Sequence, residues 1–500
     1  MIRSRDGVGW TSQLAGFLTL LALVTTGCAT KLAQIDTARN AFAAGDAAMA
    51  HEVLSEVANG RGRFATPAKL DLAMVDLATG NATAAEQRLR SLRDEFEHAS
   101  KLAPLHEAAA MVTDDTARRF QPAGYEQVMI RTMLAMCSLV RDGQDAESYI
   151  NQAAMLQAKL QREHDERRSQ VFGEAISDTL TANVHQELAL APYLRGVLRE
   201  ETMRDLDDAR RNYQLVSAIQ PSFLPAADDL KRATEGVHSQ PGHGAVYVFA
   251  LVGRGPILEA VEAPTTTAAM TVASALMLNE SNEKDDVDTL PKITSVKVPS
   301  VVIPPSQVAA VTVASYIPTG PDTLPLYELQ GATQPLTNVA EMVQKQADAE
   351  MPWTIARSVI RQGGKELAVS TARQQLGLEG PMGTLFQFAS STAWTAAETA
   401  DTRCWGLLPR EIQVLRAELP AGNHSVEFAP VNYNGQPIAT ANRIPVRIHN
   451  GRNTYVLVVA PTEKIYVVTA RPEGGSGEGL GRSAEGSVLR AEEIGLRDQS

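Results

Sequence analysis

Two stretches of the amino-terminal half superimpose on one another. "AFAAGDAAMAHEVL" (Ala41 to Leu54) and "DLATGNATAAEQRL" (Asp76 to Leu89) align at an offset of 35 residues, matching Gly45 with Gly80, Ala50 with Ala85 and Leu54 with Leu89. A self-similar period of about 34 residues is the signature of tetratricopeptide-like helical hairpins, units that cannot bury an apolar face alone and so must stack. The residue types suit that geometry: Gly ends one helix in a left-handed turn, Ala lets two helices approach, and Leu fills the groove between them. A weaker copy surrounds Gly143 in "MLAMCSLVRDGQDAESYINQA". Another follows "PYLRGVLREE", where Gly196, Ala209, Tyr213 and Pro221 fall near the small, aromatic and terminal-proline positions. A generic bundle with coincident alanines is the plainer alternative. Between the copies, "QAKLQREHDERRSQV" reads as a long polar helix with a solvated charged face.

The amino terminus restricts where such a chain resides. Arg3 and Arg5 precede an apolar run from Leu14 to Val24, and "VTTGC" brings small residues up to Cys28. The run has about 11 residues against roughly 20 for a helix that spans a bilayer, so it reads as a secretory leader over 1–27. The motif resembles the lipobox of bacterial lipoproteins, in which Cys28 is acylated and becomes the first residue; an incidental thiol in an ordinary cleaved leader is the alternative. Several acyl chains on one cysteine would anchor stably. Ala29 rather than Asp follows, the pattern sent on to the outer membrane in two-membrane bacteria. Cys137 and Cys404 then remain, too few for a disulfide scaffold. Net charge is −12, with 58 Asp and Glu against 46 Lys and Arg, so the basic footprint of nucleic-acid binding is missing.

Composition changes near Gln240. "SQPGHG" is a boundary by its Pro and Gly, and "AVYVFALVG" is a β-branched and aromatic run too short for most helices. "ITSVKVPSVVIPPSQVAAVTVASY" continues with edge-like strands interrupted by Pro299, Pro304 and Pro305. Helical periodicity returns from Leu336, with a second helical segment expected to start at Pro352. Near the carboxyl terminus, "PAGNHS", "YNGQ" and "HNGRN" place the Gly-Asn and Asn-Gly chemistry of tight hairpins between apolar runs. Val446, Ile448, Val456, Val458, Ile465 and Val467 are the expected core of a sandwich.

The expected fold is α+β and multidomain: a leader at 1–27, a tetratricopeptide-like helical repeat domain at 28–238, and a β-rich, sandwich-like domain with inserted helices at 241–471. A disordered polar tail at 472–500 completes it. The two main parts are expected to fold as separate units. With 500 residues and 44% hydrophobic content, the chain has material for more than one core.

The densest concentration of reactive side chains is "ADTRCWGLLPREIQVL", which carries Asp401, Arg403, Cys404 and Trp405 ahead of Pro409. A nucleophile needs a base and an orienting partner, and no His lies in this block before His424. The expectation is a structural corner, with Trp405 plugging the core, Pro409 starting the next turn, and Asp401 or Glu398 neutralising Arg357 or Arg361. Arg357, Arg361 and Lys365 form a basic stripe at four-residue spacing. It could grip an anion, although such stripes more often meet internal carboxylates or water. The chain lacks HExxH, GxxxxGK[ST] and paired CxxC motifs. "GRG" at Gly253 is too short for a dinucleotide fingerprint, and "GGSGEG" sits in the polar tail without the strand and helix of a nucleophile elbow. "NESNEKDDVD" lacks the Gly and final Glu of a calcium loop and reads as a solvated loop. His238 and His243 have no third ligand and read as solvated linker histidines. The expectation is no metal and no cofactor.

"YEQVMIRTMLAMCSLVRDGQDAESYINQA", "APYLRGVLREE", "AVYVFALVGRGPILEA", "PWTIARSVIRQGGK" and "ADTRCWGLLPREIQVLRAELPAGNHSVEF" occur in this order over roughly Ala123 to Val459. Together they resemble a family of uncharacterised bacterial lipoproteins with a tetratricopeptide-like helical domain followed by an α+β domain and no established activity. Asn151-Gln152 departs from that family, which carries two adjacent arginines there. The expected function is a lipid-anchored, non-enzymatic interaction scaffold on the periplasmic face of the outer membrane. It would hold a protein partner on the helical groove, and no nucleic acid. An envelope enzyme or a polysaccharide-binding module within 241–471 is the alternative.

Overall fold

The computed structural model describes residues 31–102, 120–172, 184–185, 188–203, 205–280, 294–317, 326–375 and 400–469. Cys28 and the expected leader, residues 281–288 of the acidic stretch, Glu398 and the helix expected ahead of Asp401, and residues 472–500 lie outside the described residues. So does the side chain of Lys365.

The amino-terminal half is a layer of helices: α1 (residues 31–43), α2 (Ala47–Asn59), α3 (Ala65–Ala78), α4 (Ala82–Leu102), α5 (Gly124–Leu139), α6 (Ala146–Phe172), α7 (Leu190–Thr202), α8 (Leu206–Ile219) and α9 (Pro225–Glu235). The same device joins α1 to α2 and α3 to α4. Gly45 and Gly80 take left-handed φ angles of 95° and 81°, which only glycine adopts without strain. The next residue then caps the new helix, Asp46 Oδ1 accepting from Met49 N at 2.9 Å and Asn81 Oδ1 from Ala84 N at 3.4 Å. Gly143, with φ 74°, turns α5 towards α6. Ala50, Ala85 and Ala209 are fully buried where helices approach. Gly196 on α7 faces Tyr213 on α8, and a Cβ there would stand 2.6 Å from the ring. Pro221 is exposed in the turn between α8 and α9. Asn151 and Gln152 on α6 accept hydrogen bonds from Arg195 and Arg93, on α7 and α4.

Strands begin at β1 (His243–Arg254), followed by β2 (Ile257–Pro264), α10 (Thr267–Glu280), β3 (Ser295–Val302), β4 (Ala310–Ile317), β5 (Leu326–Ala332), β6 (Gln334–Asn338) and α11 (Val339–Gln375). Then come β7 (Pro409–Pro420), β8 (Gly422–Val431), β9 (Asn442–Ile448), β10 (Asn453–Ala460) and β11 (Tyr466–Thr469). Among the described residues three sheets result: five strands in the order β11-β10-β1-β7-β6, four in the order β5-β4-β8-β9, and the ribbon β2-β3. The fold class is mixed α+β.

β1 organises the molecule because both its faces are buried, which is why it reads as an unbroken apolar run. Val246, Val248, Ala250 and Val252 pack against Val311, Val313, Val426, Phe428, Val446 and Ile448 of the four-stranded sheet. All six expected sandwich residues belong to this interface. On its other face, Ala245, Tyr247, Phe249 and Leu251 join the core of the helical layer. There Tyr193 meets Tyr213, Phe223, Tyr247 and Phe249 edge-on, with ring centroids 5.5–6.5 Å apart. Helices, the five-stranded sheet and the four-stranded sheet thus form three layers. One apolar cluster runs through them from Ile35 to Val468, so the helical layer and the strands share a core.

Local signals misled at two further places. Of the three expected hairpins, only "YNGQ" joins neighbours in one sheet, β8 and β9. The turns at Ala421 and at Asn450-Gly451 carry the chain from one sheet to the other, because turn chemistry fixes a reversal and not which sheet receives the next strand. Pro352 starts no second helix: α11 runs through it for 37 residues. A proline inside a helix removes one backbone bond, and burial of Trp353, Ile355, Ala356 and Val359 holds the helix together across the gap. The charged helix α6 does present a solvated face, with Lys159, Arg162, Glu163, Asp165, Glu166 and Arg167 exposed, while His164 in the same run is turned inward and 2% exposed.

Candidate functional site

Residues 401–408 lead into β7 as an irregular strap pressed into the helical layer, with Cys404, Trp405 and Leu408 buried. At its start Arg403 folds back on Asp401, with Nε donating to Oδ1 at 2.8 Å and Nη2 to Oδ2 at 2.6 Å. Arg403 Nη1 also reaches the Arg63 carbonyl just before α3, and its guanidinium lies 5.7 Å from the Phe120 ring centroid. Of the two carboxylates expected to neutralise Arg357 or Arg361, Asp401 pairs instead with Arg403, two residues away, and Glu398 lies outside the described residues. Arg357 is exposed and Arg361 buried, so the two do not share one solvated stripe; their Nη2 atoms donate to Thr354 and Ser358.

The middle of the strap is held by backbone groups. Arg39 of α1 donates through Nε to Asp71 Oδ2 at 2.7 Å and through Nη2 to the Cys404 carbonyl at 2.8 Å. Asp71 of α3 uses its other oxygen to accept Leu407 N at 3.0 Å. Glu126 of α5 accepts Trp405 N at 2.6 Å and Ala123 N at 2.8 Å. Gly406 is required by this closeness, since a Cβ there would stand 2.2 Å from Arg39 Cζ. In "GRG", Gly255 likewise makes room for Leu408, donating N–H to its carbonyl at 2.8 Å.

Burial dominates the electrostatics. It pushes the Glu126 carboxyl up to about 7 against the pull of its two N–H donors, with the negative Asp71 and Asp401 adding to the rise. Burial also lifts Asp71 above its ordinary value, although Arg39 and Leu407 N oppose the rise. Burial opposes the charge on Arg39 as well, but Asp71 and its other neighbours outweigh that and hold the guanidinium protonated. A buried pair of this kind contributes more to a defined geometry than to net stability. The Cys404 thiol is pushed up to about 11 by burial and remains a thiol at neutral pH, unsuited to attack. Cys137 is also buried, and neither cysteine is bridged.

Asp401, Arg403, Trp405 and Pro409 thus lie together, as neighbours in sequence must, while their partners Arg39, Asp71, Glu126 and Phe120 went unnoticed in the sequence. Only Glu126 carried a local signal, three residues after Ala123 at a helix start, where a capping carboxylate is favoured. A small cleft beside the strap is lined by Arg39, Arg254, Leu251, Leu407 and Pro461 and holds about 20 Å³, enough for a single water. His238 is not a ligand pair with His243. Its Nε2 lies 2.7 Å from Asn453 Oδ1, whereas His243 Nδ1 lies 3.4 Å from the Pro241 carbonyl. The histidines that do converge are His164 and His185, beside Glu350.

The strap and the buried ion pair beneath it define an internal clamp in a three-layer α+β protein. Compared with known proteins, the chain finds no match among family models, curated proteins or solved structures.

Proposed function

We propose that the chain is a lipid-anchored cell-envelope protein that acts as a non-enzymatic protein interaction scaffold, held through Cys28 on the periplasmic face of the outer membrane. The observation that carries the reading is the fate of the most reactive block in the sequence. Asp401, Arg403, Cys404 and Trp405 are spent on joining the layers, with a thiol that stays protonated and carboxylates occupied by arginine and backbone donors. The short apolar run ending at Cys28 supports the anchor, and the resemblance to bacterial lipoproteins supports the compartment. Among the described residues no helix is long and apolar enough to cross a membrane.

Tetratricopeptide-like stacking of the helical hairpins belongs to the same reading, with Gly45, Gly80 and Gly143 at the turns and Ala50, Ala85 and Ala209 at the close approaches. A partner on the helical layer would then meet exposed apolar side chains such as Met155, 73% exposed on α6. Fractionation of cells expressing Cys28→Ser, followed by affinity purification of the wild-type chain from detergent-solubilised envelopes, tests both parts. The variant should leave the membrane fraction or accumulate unprocessed, and the wild type should bring down a stoichiometric envelope protein that Met155→Glu weakens. Membrane retention of a mature variant would refute the anchor, and a wild type that purifies alone would refute the scaffold.

A further inference from the structure

His164, His185 and Glu350 come from three distant parts of the chain: α6, the segment ahead of α7, and α11. Each offers a ligand atom, and these atoms lie within 4.8 Å of one another. The imidazole rings are 5.9 Å apart at 71°. Two of their nitrogens, His164 Nε2 and His185 Nδ1, are buried without a hydrogen-bond partner. His164 turns its other nitrogen, Nδ1, to Glu350 Oε1 at 3.5 Å; buried polar atoms are nearly always satisfied, so the two imidazole nitrogens left over in this cluster call for an occupant.

We propose that His164, His185 and Glu350 bind a divalent transition-metal ion that prefers imidazole, Zn²⁺ foremost. Two imidazoles and one carboxylate suit such an ion, whereas Ca²⁺ and Mg²⁺ take six or more oxygens. Three protein ligands leave a fourth tetrahedral position for water or an outside ligand. Closing the triangle to ligand spacing, with metal–ligand distances of about 2.0–2.2 Å, needs a movement of about 1 Å. His164 and Glu350 already stand at that spacing, so the movement falls to His185, while Glu350, its side chain 29% exposed, opens the site to solvent.

The surroundings already orient these groups. Gln161 Oε1 accepts the His185 backbone N–H at 2.8 Å and Gln157 Oε1 accepts Leu188 N at 3.2 Å, pinning this segment to α6. Arg167 Nη2 donates to Glu350 Oε1 at 2.7 Å and so fixes the carboxylate beside His164. Trp353 walls the site, its ring 6.0 Å from His164 and 5.9 Å from Phe172. Outer contacts of this kind fix ligand orientation and exclude water.

The test uses the tag-free full chain in detergent, stripped with a chelator and titrated with Zn²⁺ against a chromophoric competitor. Co²⁺ loading would report geometry through its visible absorption. The wild type should bind one equivalent and melt at a higher temperature with Zn²⁺. Glu350→Gln, at the exposed member, should keep the circular dichroism of the wild type while weakening binding at least about tenfold. His185→Gln should abolish binding and the tetrahedral Co²⁺ bands. No saturable binding by the wild type, or equal binding by both variants, would overturn the site and leave the cluster as packing between α6 and α11.

Discussion

Trp405 is 1% exposed in the core shared by helices and strands, with its backbone N–H held by Glu126. Trp405→Ala should therefore lose about 3–5 kcal/mol, read from denaturant melts, because the surrounding layers cannot collapse onto so large a void. Glu126 beneath it gives the clamp a pH dependence. Its carboxyl sits at about 7 when folded against an ordinary 4.5, so the folded chain keeps a proton that the unfolded chain has released. That contribution to stability is fully present below about pH 4.5 and is lost as pH rises through about 7. Glu126→Gln should flatten the fall in stability between about pH 5 and 7, measured by melts across that range; an unchanged slope would show that the wild-type carboxyl does not titrate there. Trp405 was legible as a plug because a Trp ahead of Leu-Leu-Pro has few exposed alternatives. Arg39 and Asp71 were not legible as its companions, since a contact across more than 300 residues leaves no trace in local spacing.

At the scale of elements, the turns between helices were the most readable feature. Gly45-Asp46 and Gly80-Asn81 each combine a left-handed glycine with a capping side chain, chemistry contained within a few adjacent residues. Gly196 rests on a contact instead, since Tyr213 occupies the space a side chain would take and is itself fixed by its hydroxyl donating to buried Glu200 at 2.5 Å. Gly196→Ala should cost about 1–3 kcal/mol by forcing α7 and α8 apart, and a melt within error of the wild type would show that the ring can yield. The sheet was less legible than the helices. β1 pairs in parallel with β10, some 200 residues on, and antiparallel with β7. Neither partner is encoded in the alternation of β1 itself, which is apolar on both sides. The long helix α11 misled for a related reason, as tertiary burial around Trp353 outweighs the break that Pro352 signals.

The whole molecule is joined through its middle layer. Tyr193 of α7 packs on Tyr247 and Phe249 of β1, and Phe42 of α1 stacks on Tyr466 at 4.8 Å. Residues 29–238 expressed alone should consequently bind hydrophobic dyes and lack a cooperative melt, because the face that meets the five-stranded sheet would be bare; a sharp transition from that fragment would show the layers to be independent. Hydrogen exchange on peptides from α3 and β1, compared between wild type and Asp71→Asn, probes the clamp itself. The substitution removes the carboxylate charge between Arg39 and Leu407 N without changing the side chain's shape. Protection should fall by a similar factor in α3 and in β1, marking one cooperative unit fastened by the strap. Unchanged protection in β1, with exchange accelerated in α3 alone, would contradict that unity.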